Sequence, residues 1–183
     1  GGAKTFLNDL ISYLGNSSTL AFPCHLNPQS VFDDYNNGVI LDLRTELPNT
    51  GVIPILALTS FGGVRSSHPF GSTVSIGPRS IYLTKDHDIN EKLCHSNSPL
   101  ARLLSLDTKL VGIGTDFAAM AFYHLVEDLN DYIYPVYLEP ENIEYINFEG
   151  VYTKRKVSRY NPCISFYRIE RPGGRDARLF LKK

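Results

Sequence analysis

The chain has 183 residues, a formal net charge of −1 and 43% hydrophobic residues. That is enough for one ordinary soluble domain with a real core, and the near-neutral balance excludes a general nucleic-acid binder, which is basic as a rule. No apolar run approaches the ~20 residues of a membrane-spanning helix, no secretory signal leads the chain, and three scattered cysteines, Cys24, Cys94 and Cys163, suit neither a disulfide frame nor a zinc site. The expectation is a cytoplasmic protein with reduced thiols.

Residues 3–14, AKTFLNDLISYL, put Phe6, Leu7, Leu10, Ile11 and Leu14 on one helical face, and Gly15 is a fitting stop. "STLAFP" reads as a short buried strand ending at Pro23. "CHLNPQSVFDDYNNG" is rich in turn formers and reads as irregular. Residues 39–47 look weakly helical, and "GVIPILALTSFGGV" is an apolar segment broken by Pro54. "RSSHPFGSTVSIGP", residues 65–78, opens with an Arg, hydroxyls and a His, then becomes the strand "STVSIG".

"LTKDHDINEKLCHSNSP" carries His87, His95, Asp86, Asp88 and Cys94, but their spacing fits no familiar zinc pattern, so it reads as a solvated loop. Cys94 beside His95 is not read as a nucleophile and its base, because such groups meet in space rather than in sequence. Ser98 can cap the next helix, with Pro99 at its first position. "KLVGIG" reads as a buried strand feeding the helix "TDFAAMAFYHLVEDLN", capped by Thr115 or Asp116. That helix start could hold an anion, but no third Gly follows to make a dinucleotide fingerprint. Ala118, Ala119 and Ala121 leave room for a close neighbour. His124 and Glu127, three apart, share a helix face. A carboxylate can orient a His and raise its basicity, as a general base requires, although an ordinary surface pair is the commoner outcome of such spacing. From "DYIYPVY" to "SRYNP" the chain is rich in Tyr, Ile and Val with turn signals, and reads as strands. The fold class expected is α/β: a layered α/β/α domain with a central mixed sheet and a β-rich C-terminal part, with residues 1–183 as a single domain.

In this order, the blocks resemble the aminoglycoside 3-N-acetyltransferase family. "GGAKTFLNDLISYLGNSSTLAFP" is similar to its Gly-Gly-Ala helix and following strand, and "RSSHPFGSTVSIGP" to its Arg-Ser-x-His-Pro block. "LTKDHDI", "SPLARLLSLDTKLVGIG" and "FYHLVE" are similar to its Leu-Thr-x-x-His step, its Ser-Pro helix and strand, and its His-x-x-Glu helix. The resemblance spans about residues 1–127, with a weaker echo in "RDARLF". It implies an acetyl-CoA-dependent N-acetyltransferase acting on an amine of an aminoglycoside or amino sugar. It implies no metal, no nucleic acid and no membrane, and it is compatible with a homodimer. It places Arg65, Ser66, Ser67, His68 and Ser72 at the coenzyme, with Arg65 able to meet a phosphate through charge-assisted hydrogen bonds. His124 becomes the general base, with Glu127 or Glu170 as its acidic partner, and Asp116 falls on the substrate side.

The sequence also departs from the family. A Val-His-Ser-Ser-like strand expected ahead of "GGAKTF" has no counterpart in this sequence. Ala118 and Ala121 stand where an Asp and a Thr are often found, and Arg159 and Asn161 lie where an acid supporting the His is expected. The alternative reading is a diverged, non-catalytic relative that binds coenzyme A or a protein partner.

Overall fold

The computed structural model describes residues 1–114, 121–129 and 137–161. Helices and strands alternate in the first part of the chain and are grouped in the rest, within an α/β fold. They run α1 (Gly2–Leu14), β1 (Leu20–His25), α2 (Pro28–Asn36), β2 (Leu41–Asp42), α3 (Val52–Ser60), β3 (Val64–Arg65), β4 (Gly71–Ile76), α4 (Ser80–Thr84), α5 (Pro99–Ser105), α6 (Phe122–Asp128), β5 (Glu141–Ile146) and β6 (Tyr152–Val157). The strands form two three-stranded sheets among the described residues, ordered β1-β4-β3 and β2-β5-β6. The first is antiparallel throughout, with Leu20 opposite Ile76 and His25 opposite Gly71. The second is mixed: β2 runs parallel to β5, and β5 and β6 form an antiparallel hairpin with Glu141 opposite Val157. This hairpin is the β-rich C-terminal part read from "NIEYINFEGVYTKRKV".

Each element has a local cause. The stripe on α1 is only partly used: Leu7 is fully buried and Ile11 packs beside it, whereas Phe6 is 41% exposed. Gly15, at φ 75°, ends the helix in the left-handed region. The segment expected to be irregular contains α2. Asn27 caps it by accepting from the Gln29 N–H at 3.0 Å, Pro28 takes the first helical position, and Val31 and Phe32 are buried. Pro54 does not break its segment, because it sits in the first turn of α3, where no intrahelical partner is needed for its nitrogen. The weak helix expected over 39–47 is instead the short strand β2. "KLVGIG" is a further correction: residues 109–114 form no strand, and Leu110, Val111 and Ile113 are 56%, 71% and 62% exposed. An apolar run becomes a buried strand only when a sheet has an edge to receive it. The cap residues Thr115 and Asp116 lie outside the described residues.

Three apolar clusters form the core. One packs α2 and Phe70 against β2, β5 and β6 around Tyr145 and Leu43. A second joins α1 and α3 to β1 and β4 through Leu7, Cys24, Ala57 and Val74. The third, Leu93, Cys94 and Leu125, lies beneath α6, with Phe122 and Tyr160 against it. Each fully buried aliphatic side chain contributes roughly 2 kcal/mol by removal from water, so the third cluster holds α6, and the side chains it carries, in one place. No helix among the described residues is long and apolar enough to cross a membrane.

Candidate active site

His124 lies on α6 with its Nδ1 3.3 Å from Glu127 Oε2; its side chain is 25% exposed and that of Glu127 only 5%. A carboxylate only accepts hydrogen bonds, so Nδ1–H donates to Glu127; in the neutral ring this contact selects the tautomer with the lone pair on Nε2. The Tyr160 ring lies against the imidazole, 4.3 Å between centroids and tilted by 31°. Tyr160 reaches this position through an antiparallel bridge with Tyr137 and a Leu138 N–H to Arg159 C=O bond of 3.0 Å. The Tyr137 and Tyr160 rings stack at 4.7 Å, and the Tyr137 hydroxyl is 3.1 Å from that of Tyr160.

Asp128 closes this assembly. Its Oδ2 accepts from the Tyr137 hydroxyl at 2.5 Å and from the Cys94 backbone N–H at 2.9 Å, tying the end of α6 to the loop before α5. Its Oδ1 is buried with no hydrogen-bond partner among the described residues. Burial pushes the Asp128 carboxyl up to about 6, opposed by the Tyr137 hydroxyl and by Lys92. Burial and Asp128 both push the Cys94 thiol up, so it is a packing group rather than a nucleophile.

The block Arg65–Ser72 has a different character from the one expected. Arg65 is 2% exposed and spends its guanidinium internally. Nε donates to Ser72 Oγ at 2.8 Å, Nη1 to the carbonyls of Leu43 and Glu46 at 3.2 and 2.7 Å, and Nη2 to that of Cys24 at 3.5 Å. The phosphate contact expected of Arg65 is therefore not what this geometry provides. Ser66 and Ser72 are also fully buried, with Ser72 Oγ donating to Cys24 C=O at 2.9 Å. Ser67 is the one hydroxyl of the block that remains partly exposed.

The loop read as solvated is exposed at Asp86 and Ile89 but turns its histidines inward: His87 is 2% and His95 8% exposed. Their partners define neutral tautomers. The Thr73 N–H donates to Ser66 Oγ at 2.9 Å, Ser66 Oγ–H donates to His87 Nδ1 at 2.8 Å, and His87 Nε2–H donates to Leu93 C=O at 2.7 Å. His95 accepts from the Asn97 N–H at Nδ1 and faces the His87 carbonyl with Nε2. His68 accepts from the Gly71 N–H at Nδ1, 3.0 Å, which leaves the proton on Nε2, a buried atom with no partner among the described residues. Its ring is 5.1 Å from that of His87, and His87 is 5.9 Å from His95. Burial, reinforced by the charges of neighbouring histidines, holds His68 well below the ordinary imidazole range. Burial brings His87 down to about 3. His25, at the end of β1, is lowered to about 4 by burial and then by the charges of His124 and Arg65. The chain's five histidines thus form one electrostatically connected group. Among the described residues no His, Cys, Asp and Glu are grouped so as to hold a metal ion.

The structure therefore brings together His124 and Glu127, and separately Arg65, Ser66, His68 and Ser72; Asp116 lies outside the described residues. Sequence reasoning missed Tyr160, Tyr137, Asp128 and His25. Only the density of tyrosines in "DYIYPVY" and "SRYNP" could have hinted at an aromatic stack, and periodicity cannot say which ring meets which.

The comparisons with known proteins give the family and the fold. The family model for aminoglycoside 3-N-acetyltransferase matches residues 1–172. Aminoglycoside N(3)-acetyltransferase VII of Streptomyces paromomycinus is 30% identical over 145 residues, covering 72% of this chain and 50% of that protein. Aminoglycoside N(3)-acetyltransferase IX of Micromonospora chalcea is 28% identical over 145 residues, covering 72% and 51%. The chain thus spans about half the length of these relatives. A solved structure of AAC-IIIb in binary complex with CoASH shares the fold, at a TM-score of 0.72 and 19% identity over 88% of this chain and 63% of that one. With the family model matched over nearly its whole length, the chain belongs to the aminoglycoside 3-N-acetyltransferase family.

Proposed function

We propose that the protein is an acetyl-CoA-dependent N-acetyltransferase that acetylates an amine of an aminoglycoside or amino sugar, with His124 as general base. The observation that carries this reading is the His124–Glu127 pair at 3.3 Å, on a half-buried imidazole in the His-x-x-Glu helix of a chain of this family. The acceptor amine arrives as ammonium and must lose a proton before it can attack. Nε2 of a neutral His124 takes that proton, and Glu127 stabilises the imidazolium through Nδ1–H. The amine nitrogen then bonds to the thioester carbonyl carbon. Collapse of the tetrahedral intermediate breaks the carbon–sulfur bond; the departing thiolate takes the surplus proton of the nitrogen and leaves as coenzyme A thiol with the N-acetyl amine, and the His124 imidazolium returns its proton to solvent. Direct transfer, with no acyl-enzyme, agrees with Cys94 being a buried thiol of raised pKa.

Acetyl-CoA as donor is supported by family membership and by the coenzyme-bound relative rather than by Arg65, whose guanidinium is consumed inside the fold. Of the residues expected at the coenzyme, the partial exposure of Ser67 supports it as a ligand contact, while the burial of Arg65, Ser66, His68 and Ser72 supports a role in shaping the backbone around it. Acetylation of an aminoglycoside would confer antibiotic resistance. The buried, unpaired thiols of Cys24 and Cys94 suit the cytoplasm, where such substrates and acetyl-CoA meet.

The test is thiol release from acetyl-CoA with a panel of aminoglycosides and amino sugars, wild type against His124→Ala. Release with one amine class, reduced about a hundredfold or more in the variant, is the expected result. Turnover unchanged in His124→Ala would overturn the assignment of the base. Coenzyme binding without turnover of any amine would favour the non-catalytic alternative.

A further inference from the structure

Within "KVSRYNP", where an acid is expected, it is an aromatic ring that meets the imidazole of His124. Tyr160 packs on the imidazole of His124 at 4.3 Å. It also packs on the Leu93–Cys94–Leu125 cluster and against the Tyr137 ring at 4.7 Å, nearly parallel at 24°. The two tyrosine hydroxyls are 3.1 Å apart, and Tyr137 donates to Asp128 Oδ2. Asp128 lies one turn beyond His124 on the same helix and is pinned by the Cys94 N–H. The path is a closed ring of contacts: His124, Tyr160, Tyr137, Asp128, and back along α6. Such a loop restricts rotation of the imidazole about its side-chain bonds, in addition to the Nδ1 contact with Glu127.

We propose that Tyr160, anchored by Tyr137 and Asp128, is the positioning residue for His124: its ring fixes the plane of the imidazole while Glu127 fixes the tautomer. This rests on the reading of His124 as the base. None of the three residues touches the reacting atoms in this scheme; they act through His124. Among the described residues, Cys94, Lys92 and Glu127 also face Asp128, and His25 and Glu127 are among the titratable groups near His124.

The test uses the full 183-residue chain. Tyr160→Leu removes the ring and keeps apolar bulk; Tyr160→Phe keeps the ring and removes the hydroxyl. Tyr160→Leu is expected to lower kcat about tenfold, the scale of a displaced catalytic group, with KM for the acceptor nearly unchanged. The His124 ring signals, followed by NMR, should shift and broaden as the ring samples more than one orientation, with the Nδ1 contact to Glu127 kept. Tyr160→Phe should restore most of both. A folded Tyr160→Leu with wild-type kcat and an unaltered His124 signal overturns the proposal, as does a Tyr160→Phe as impaired as Tyr160→Leu. If Tyr160→Leu does not fold, Tyr137→Phe decides. It cuts the link to Asp128 without touching His124, and an unchanged His124 signal there would refute the anchoring. The NMR readout stands apart from activity. Full turnover in His124→Ala would end the base assignment, whereas an unperturbed ring in Tyr160→Leu would end the positioning claim.

Discussion

Arg65 donates from Nε to Ser72 Oγ at 2.8 Å, and Ser72 passes the bond on to the Cys24 carbonyl at 2.9 Å, so one buried cation ties β3, β4 and β1 together. The same guanidinium reaches the carbonyls of Leu43 and Glu46 in the loop after β2. With its charge lowered in pKa chiefly by burial, Arg65 stabilises the fold only through this full set of acceptors.

Arg65→Ala is therefore expected to be a stability mutation. Carbonyls left buried without donors cost about 1–3 kcal/mol each, and the total loss should reach about 3 kcal/mol. Arg65→Lys should recover less than half, because an ammonium cannot reproduce the planar fork. Urea unfolding measures both. A loss under about 1 kcal/mol in Arg65→Ala would mean the guanidinium is dispensable to the fold and free for a ligand.

Gly77 offers a backbone test. It follows β4 at φ +119°, and a Cβ there would stand 2.3 Å from the Ser18 carbonyl oxygen. Gly77→Ala combines a disfavoured backbone conformation with a clash against main chain that cannot swing aside, and should cost about 2–4 kcal/mol. Gly2→Ala is the control, since nothing lies within 4 Å of a Cβ there. Equal thermal shifts in the two variants would contradict this account.

How much of this was legible in the sequence follows from what each signal measures. α1, α5 and the β5–β6 hairpin were readable, because a cap, a stop residue or a two-residue alternation is a local property of the chain. α2 was not, although Asn27-Pro28 is a cap and first-turn signal, because turn-forming residues outweighed it. "KLVGIG" was misread because burial depends on a partner that composition cannot supply. At the site, His124 and Glu127 could be found, since helix spacing alone puts them on one face. Arg65 could be singled out, but whether a guanidinium faces a ligand or the inside of the protein depends on Leu43 and Glu46, about twenty residues away in the chain. Tyr160 and Tyr137 meet only through strand pairing, and no local pattern encodes it.

Ser98 tests a local signal that held. Its Oγ accepts from the Ala101 N–H at 3.4 Å at the start of α5, and the residue is fully buried. Ser98→Ala should lose about 1 kcal/mol, the usual worth of a cap. Ser98→Asp, which can also cap, should retain more of it unless burial of the charge dominates. Chemical denaturation compares the three proteins, and a fully stable Ser98→Ala would show that the long bond contributes nothing.

The histidine group sets the response to acid. His25, His68, His87 and His95 all have pKa values lowered in the folded state, chiefly by burial, to about 4 for His25 and about 3 for His87. Their tautomers are committed: protonating His87 at Nδ1 would turn the acceptor of Ser66 into a donor, and protonating His68 would do the same to the acceptor of Gly71. The unfolded chain binds protons at these rings below about pH 6.5, where the folded chain does not. Their stabilising contribution is therefore fully present above pH 6.5 and is lost as pH falls toward 4, by up to about 1.4 kcal/mol per pH unit for each ring. Asp128 works the other way. Its carboxyl is raised to about 6, so it favours the folded state at low pH and loses that contribution as pH rises through 6. One carboxyl cannot offset four rings, so unfolding free energy should be flat from pH 8 to 7 and fall steeply below 6. Urea midpoints across this range, with NMR titration of the ring protons, measure it. Stability that holds level down to pH 5, or His68 and His87 signals that titrate near 6.5, would show that these rings are open to water.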